Sequence, residues 1–128
     1  MAEMSNHLEN ALINATLRGT SFTAPSAVYV ALFTSDPTDA GTGTEVSGGG
    51  YARQTVTFGA PSNGATVNNA AVEFPQATSN WGTIGWLGLY DAASSGNLLY
   101  HTALTTAKTI DTGDIFKFAT SSISVTLS

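Results

Sequence analysis

Two periodicities divide the chain. Over residues 5–18 the apolar positions Leu8, Leu12 and Ala15 recur at helical spacing, with Ile13 and Leu17 beside them. Ser5 or Asn6 can cap the start, and Asn6-His7-Leu8-Glu9 has capping-box spacing. Glu9 in the first turn and Arg18 in the last both complement the helix dipole, and Gly19 stands where a glycine after the C-cap belongs. A helix this short is marginal alone and needs something to dock on. From Ala27 the period becomes two. Ala27-Val28-Tyr29-Val30-Ala31-Leu32-Phe33 is apolar on both faces, the pattern of a central, doubly covered strand, and Pro25 before it blocks helical continuation.

The strand pattern continues to the end of the chain. In 51–58, Gln54, Val56 and Phe58 share one face while Arg53, Thr55 and Thr57 share the other. An Asn63-Gly64 turn leads into a strand over 65–74. Trp81-Gly82-Thr83-Ile84-Gly85-Trp86-Leu87-Gly88-Leu89-Tyr90 is the most apolar stretch, and its three glycines argue against a helix and for close neighbours in a strand. Strands over 97–104, 115–118 and 122–127 follow, the last alternating Ile123, Val125 and Leu127 with Ser122, Ser124 and Thr126. The pattern predicts a mainly β, single domain over residues 1–128. It consists of an antiparallel β-sandwich or partly open barrel of about seven strands over 27–128, with one short helix in an N-terminal arm over 1–20. On the arm reading, removing residues 1–18 leaves the β unit folded.

Composition narrows the function. Charged residues are 10% of the chain, against about 25% in typical soluble domains, and hydroxyls, amides and glycine take their place. Such a surface suits a protein packed against neighbours, where fixed charge is costly to desolvate. Four basic residues and a net charge of -5 disfavour binding to nucleic acid or to an anionic membrane. No apolar run reaches a membrane span, and no basic leader precedes an apolar segment. Without cysteine there is no disulfide framework, thiolate metal site or thiol nucleophile.

Candidate chemistry is sparse. His7 reads as a solvated helix residue and His101 as a strand residue facing solvent or a neighbour; with no HxxxH or HxH spacing they do not suggest zinc. Asp91, His101 and a serine lack the GxSxG elbow of a nucleophilic site. The glycine-rich loop over 34–50 is not followed by Lys-Ser/Thr or by a helix, as phosphate binding requires. Its acids, Asp36, Asp39 and Glu45, lack EF-hand spacing and read as an exposed, solvated acidic loop. Trp81 and Trp86, five residues apart on one strand, point to opposite faces, so one belongs to the core and the other to an interface. Leu8 and Leu12 join them as interface candidates. No catalytic residue, cofactor site or metal site is expected.

Several segments together carry a resemblance. They are Gly19-Thr20 through Tyr29-Val30-Ala31-Leu32-Phe33-Thr34-Ser35-Asp36-Pro37, Gly48-Gly49-Gly50-Tyr51-Ala52-Arg53-Gln54, Val72-Glu73-Phe74-Pro75, Trp81-Gly82-Thr83-Ile84, Gly113-Asp114-Ile115-Phe116-Lys117-Phe118 and Val125-Thr126-Leu127. In this order they resemble a family of small tailed-bacteriophage and prophage proteins labelled tail-fibre or minor virion proteins. The resemblance implies a non-enzymatic structural protein of the virion, on the particle surface either as head decoration (cement) or as a tail-fibre-type component. Its implied partners are other virion proteins and further copies of itself. A lectin-like module for host-surface carbohydrate, using an exposed Trp and the acidic loop, is the alternative.

Overall fold

The computed structural model describes residues 2–127. Residues 1 and 128, the outermost positions of the expected domain, lie outside the described residues. The chain runs β1 (Glu3–Met4), α1 (Asn6–Leu17), β2 (Val28–Phe33), β3 (Gln54–Val56), β4 (Ala65–Val67), β5 (Val72–Glu73), β6 (Gly82–Tyr90), β7 (Leu98–Ile110), β8 (Lys117–Phe118) and β9 (Ser124–Thr126). Five strands form an antiparallel sheet in the order β1-β7-β6-β2-β3, and β4-β9 and β5-β8 form two small antiparallel pairs. The fold is mainly β with one helix, as the pattern predicts, and the sheet does not close into a barrel.

The apolar-on-both-faces pattern of β2 is realised literally. Val30 and Leu32 enter the main core with Ile84, Leu87, Phe74, Phe116, Ile123 and Val125, while Ala31 and Phe33 enter a second cluster with Tyr90 and Leu98. Strand β6 serves both faces through a bulge between Ile84 and Trp86, which inserts one residue into the alternation. Ile84 and Leu87 thereby share the main core, and Trp86 and Tyr90 belong to the other side. Between those two, Gly88 lets the second face close: a Cβ there would sit 3.0 Å from both Leu98 Cδ1 and Phe33 Cε1. A ring cluster of Tyr51, Phe74, Trp81, Phe116 and Phe118 fills the main core in edge, stacked and tilted contacts.

Three elements depart from the sequence pattern. The strand expected over 65–74 is broken into β4 and β5 because Asn68 turns inward. Its amide donates to the Ala70 and Ala119 carbonyls at 2.9 Å each, and its carbonyl accepts from the Ile123 N–H at 2.8 Å. A buried amide is tolerated only when hydrogen-bonded, and this one ties the corner to the C-terminal segment. Strand β7 runs six residues past the expected end at 104, supported by pairing of Thr109 with Thr83 across a 2.9 Å hydroxyl contact. Leu127 is 39% exposed, so the C-terminal alternation buries Ile123 and Val125 alone.

The N-terminal segment divides in two. Glu3 and Met4 pair with His101 and Tyr100 as an edge of the five-stranded sheet, and Ala2, Ser5 and Leu8 are buried. Ser5 is the N-cap: its hydroxyl accepts from the Leu8 N–H at 3.2 Å and donates to the Leu98 carbonyl. The capping-box spacing from Asn6 is therefore not used. Only the far half of α1 stands clear, with Ile13 52% and Leu17 79% exposed. Gly19, at φ +69°, turns the chain away after the helix. Among the described residues, no helix is long and apolar enough to cross a membrane.

Candidate functional site

The second face of the sheet is covered by the glycine-rich loop and the start of α1, and the chain's polar side chains gather there. The loop is pinned along its length. Thr34 N–H bonds Thr44 O at 2.9 Å, Val46 N–H bonds Leu32 O at 3.0 Å, and Asn6 N–H bonds Asp39 O at 2.9 Å. Asp36 Oδ1 accepts from the Thr38 N–H at 2.9 Å, a local turn that starts the loop. The Trp81 indole N–H donates to Gly49 O at 2.9 Å and holds the loop's far end.

Glu45 corrects the picture of a uniformly solvated acidic loop. Its bridge to Phe33 draws it against the sheet, and its side chain is 25% exposed. It receives Arg53 in a two-toothed ion pair, Nη2 to Oε1 at 2.8 Å and Nε to Oε2 at 2.9 Å, and the Tyr51 hydroxyl donates to Oε2 at 2.6 Å. Arg53 is 7% exposed and lies 3.8 Å over the Tyr90 ring. Its Nη1 also donates to the Ala92 and Ser95 carbonyls at 3.0 and 2.7 Å. One guanidinium thus joins β3, the loop and the β6–β7 turn. Burial works against its charge, but hydrogen bonding and attraction from Glu45 win and its pKa is raised. Burial, then the hydrogen bond to Glu45, pushes the Tyr51 hydroxyl far above the ordinary tyrosine range. Tyr90 and Tyr100 are also raised, each chiefly by burial.

The other polar centre is His101 on β7. It is buried at 5% exposure, not solvent-facing, because its Cα pairs with Gly88 on the face that loop and helix cover. Its Nε2 lies 2.7 Å from Asp39 Oδ1 and 3.9 Å from Glu3 Oε2, and its Nδ1 lies 3.9 Å from Asp36 Oδ1. Asp36 and Asp39 therefore do stand at the surface, 56% and 46% exposed, but with their carboxylates turned to a buried imidazole. No local spacing announces this group: His101 lies 62 residues from Asp39 in the chain. The available signal is the parity of β7, which puts His101 on the covered face.

The remaining candidates separate. Leu8 and Trp81 are core residues, 4% and 5% exposed, so neither presents an interface. Leu12 is half-buried, and Trp86 is half-buried against the second cluster. The exposed large apolar side chains are others, among them Ile13, Leu17 and Phe22. His7 is exposed, as expected. Asp91 closes the hairpin turn instead of facing a nucleophile: it accepts from the Asn97 backbone at 2.7 Å and from its side chain at 3.1 Å. Those bonds outweigh the small burial that opposes them and lower its pKa.

A protein-family model described as "Podophage GP4 fiber I protein gp80" matches residues 3–126. No curated protein matches the chain significantly.

Proposed function

The chain belongs to this podophage fibre family and is a virion component; from that premise we propose that it is a non-enzymatic structural subunit of the tail fibre. The observation that carries the reading is the extent of the match, which spans β1 to β9. The chemistry of the site supports it. Arg53, Glu45, Tyr51 and Asn68 all bind other parts of the same chain and hold its loops in place. A rigid, weakly charged surface is what a subunit packed among other virion proteins requires. Between the two particle positions expected from sequence, family membership favours the fibre over head decoration.

Immunogold electron microscopy of purified particles, with antibody raised against the folded chain, tests this. Gold at the tail is expected. Gold confined to the head would replace the fibre reading with decoration, and particles shown by mass spectrometry to lack the chain would overturn both.

A further inference from the structure

We propose that Glu3, Asp39 and His101 form a site for a divalent transition-metal ion, with Asp36 orienting the imidazole from behind. One donor atom from each of the three ligands lies within 4.8 Å of the others. They come from three separate segments, β1, the loop and β7. The pairwise contacts are 2.7 Å from Nε2 to Asp39 and 3.9 Å to Glu3. Donors around a tetrahedral zinc ion stand about 3.4 Å apart, from bonds of about 2.0–2.1 Å. Small rotamer changes of Glu3 and Asp39, both partly exposed, close that gap.

A histidine–aspartate hydrogen bond alone does not account for the arrangement. Nε2 carries either one proton or one lone pair, so it can serve one carboxylate, yet two converge on it. The third, Asp36, faces the opposite ring nitrogen. A carboxylate behind the non-ligating nitrogen is the arrangement that fixes the tautomer of metal-bound histidines. Among the described residues, no Lys or Arg lies within ion-pair distance of these three acids. A dication placed between Nε2, Asp39 and Glu3 supplies the missing positive charge. It takes the place of the proton shared by Nε2 and Asp39, and the imidazole keeps its remaining proton on Nδ1, toward Asp36. An imidazole donor selects zinc, cobalt or nickel over calcium and magnesium, and the exposed carboxylate side leaves room for water as a further ligand.

The chain has two histidines, and exposed His7 is an internal control. In nitrogen-15 NMR of the intact protein, one equivalent of zinc chloride is expected to shift the His101 Nε2 resonance and leave His7 in place. With cobalt chloride, visible ligand-field bands are expected. Both responses weaken at least about 10-fold in Glu3→Gln and Asp39→Asn, and about 10-fold in Asp36→Asn, the size typical of removing an outer partner. Asp111→Asn, in a distant turn, binds as the parent does. Zinc that moves neither histidine, or both alike, overturns the proposal without recourse to any variant. So does a cobalt spectrum unchanged in Glu3→Gln and Asp39→Asn.

Discussion

Replacing Glu45 by glutamine is expected to destabilise the protein more than replacing its partner Arg53 by methionine. The two changes break one ion pair but strand different groups. Without the Glu45 charge, a guanidinium that is 7% exposed keeps the Ala92 and Ser95 carbonyls, the Tyr90 face and one amide oxygen, none of them charged. Uncompensated buried charge costs about 3–5 kcal/mol, and some access of water at this site brings the figure to about 2–4 kcal/mol. Without Arg53, Glu45 keeps the Tyr51 hydroxyl and, being 25% exposed, can be hydrated. The freed carbonyls lie in the exposed 92–95 turn, so the loss is about 1–2 kcal/mol, most of it the ring contact and the net hydrogen bonding. The double variant strands no charge and should fall short of the sum of the single losses by at least about 1 kcal/mol. Equilibrium urea unfolding followed by tryptophan fluorescence measures all three, and in thermal melts the Glu45→Gln midpoint should drop by roughly 5–15 °C. A larger loss from Arg53→Met than from Glu45→Gln, or strict additivity, would refute the argument that buried positive charge dominates this site.

Two further outcomes follow from the same geometry. The Tyr51 hydroxyl holds its proton more tightly folded than unfolded, so its stabilisation is complete below about pH 10, the unfolded value, and is lost as pH rises above it. Tyr51→Phe should reduce that alkaline loss, with Tyr90 and Tyr100 sustaining the remainder. At pH 7 the variant should be about 1–3 kcal/mol less stable, since the Leu32 N–H loses its acceptor; an unchanged alkaline slope in a pH series of urea melts would contradict this. Removing residues 1–18 strips β1 from β7 and uncovers the site of Leu8, so a stability loss of at least about 2 kcal/mol is expected, against none for Leu17→Glu. A truncated protein as stable as the parent would restore the independent arm that the sequence suggests.

The parts of the fold legible in the sequence are those where one residue's neighbours along the chain decide its place. The helix from Ser5 and the two-faced β2 are both of this kind, since period and capping are local properties. What the sequence hides depends on partners far along the chain. Asn68 looks like an ordinary strand residue until Ala119 and Ile123 take up its amide. Glu45 looks like one more loop acid until Arg53 and Tyr51 claim it. Asp36 and Asp39 look like solvated loop acids and His101 like a strand residue facing solvent or a neighbour, because nothing in their spacing shows that β1 and the loop meet beside β7. The edge strand of the N-terminal segment is hidden for the same reason: two residues of strand are too few to show a period, and their meaning lies in the edge they complete.

That edge sets an order on folding. The Ser5 hydroxyl bonds a carbonyl 93 residues further along the chain. During synthesis the segment therefore waits, without its sheet partner, until most of the β unit has emerged, and a closure over so long a loop contributes little until its ends are already close. The first strand in the chain is consequently among the last to dock. Until it does, β7 also lacks a partner at Tyr100 and His101, a stretch of bare edge of the kind to which strands of other chains add.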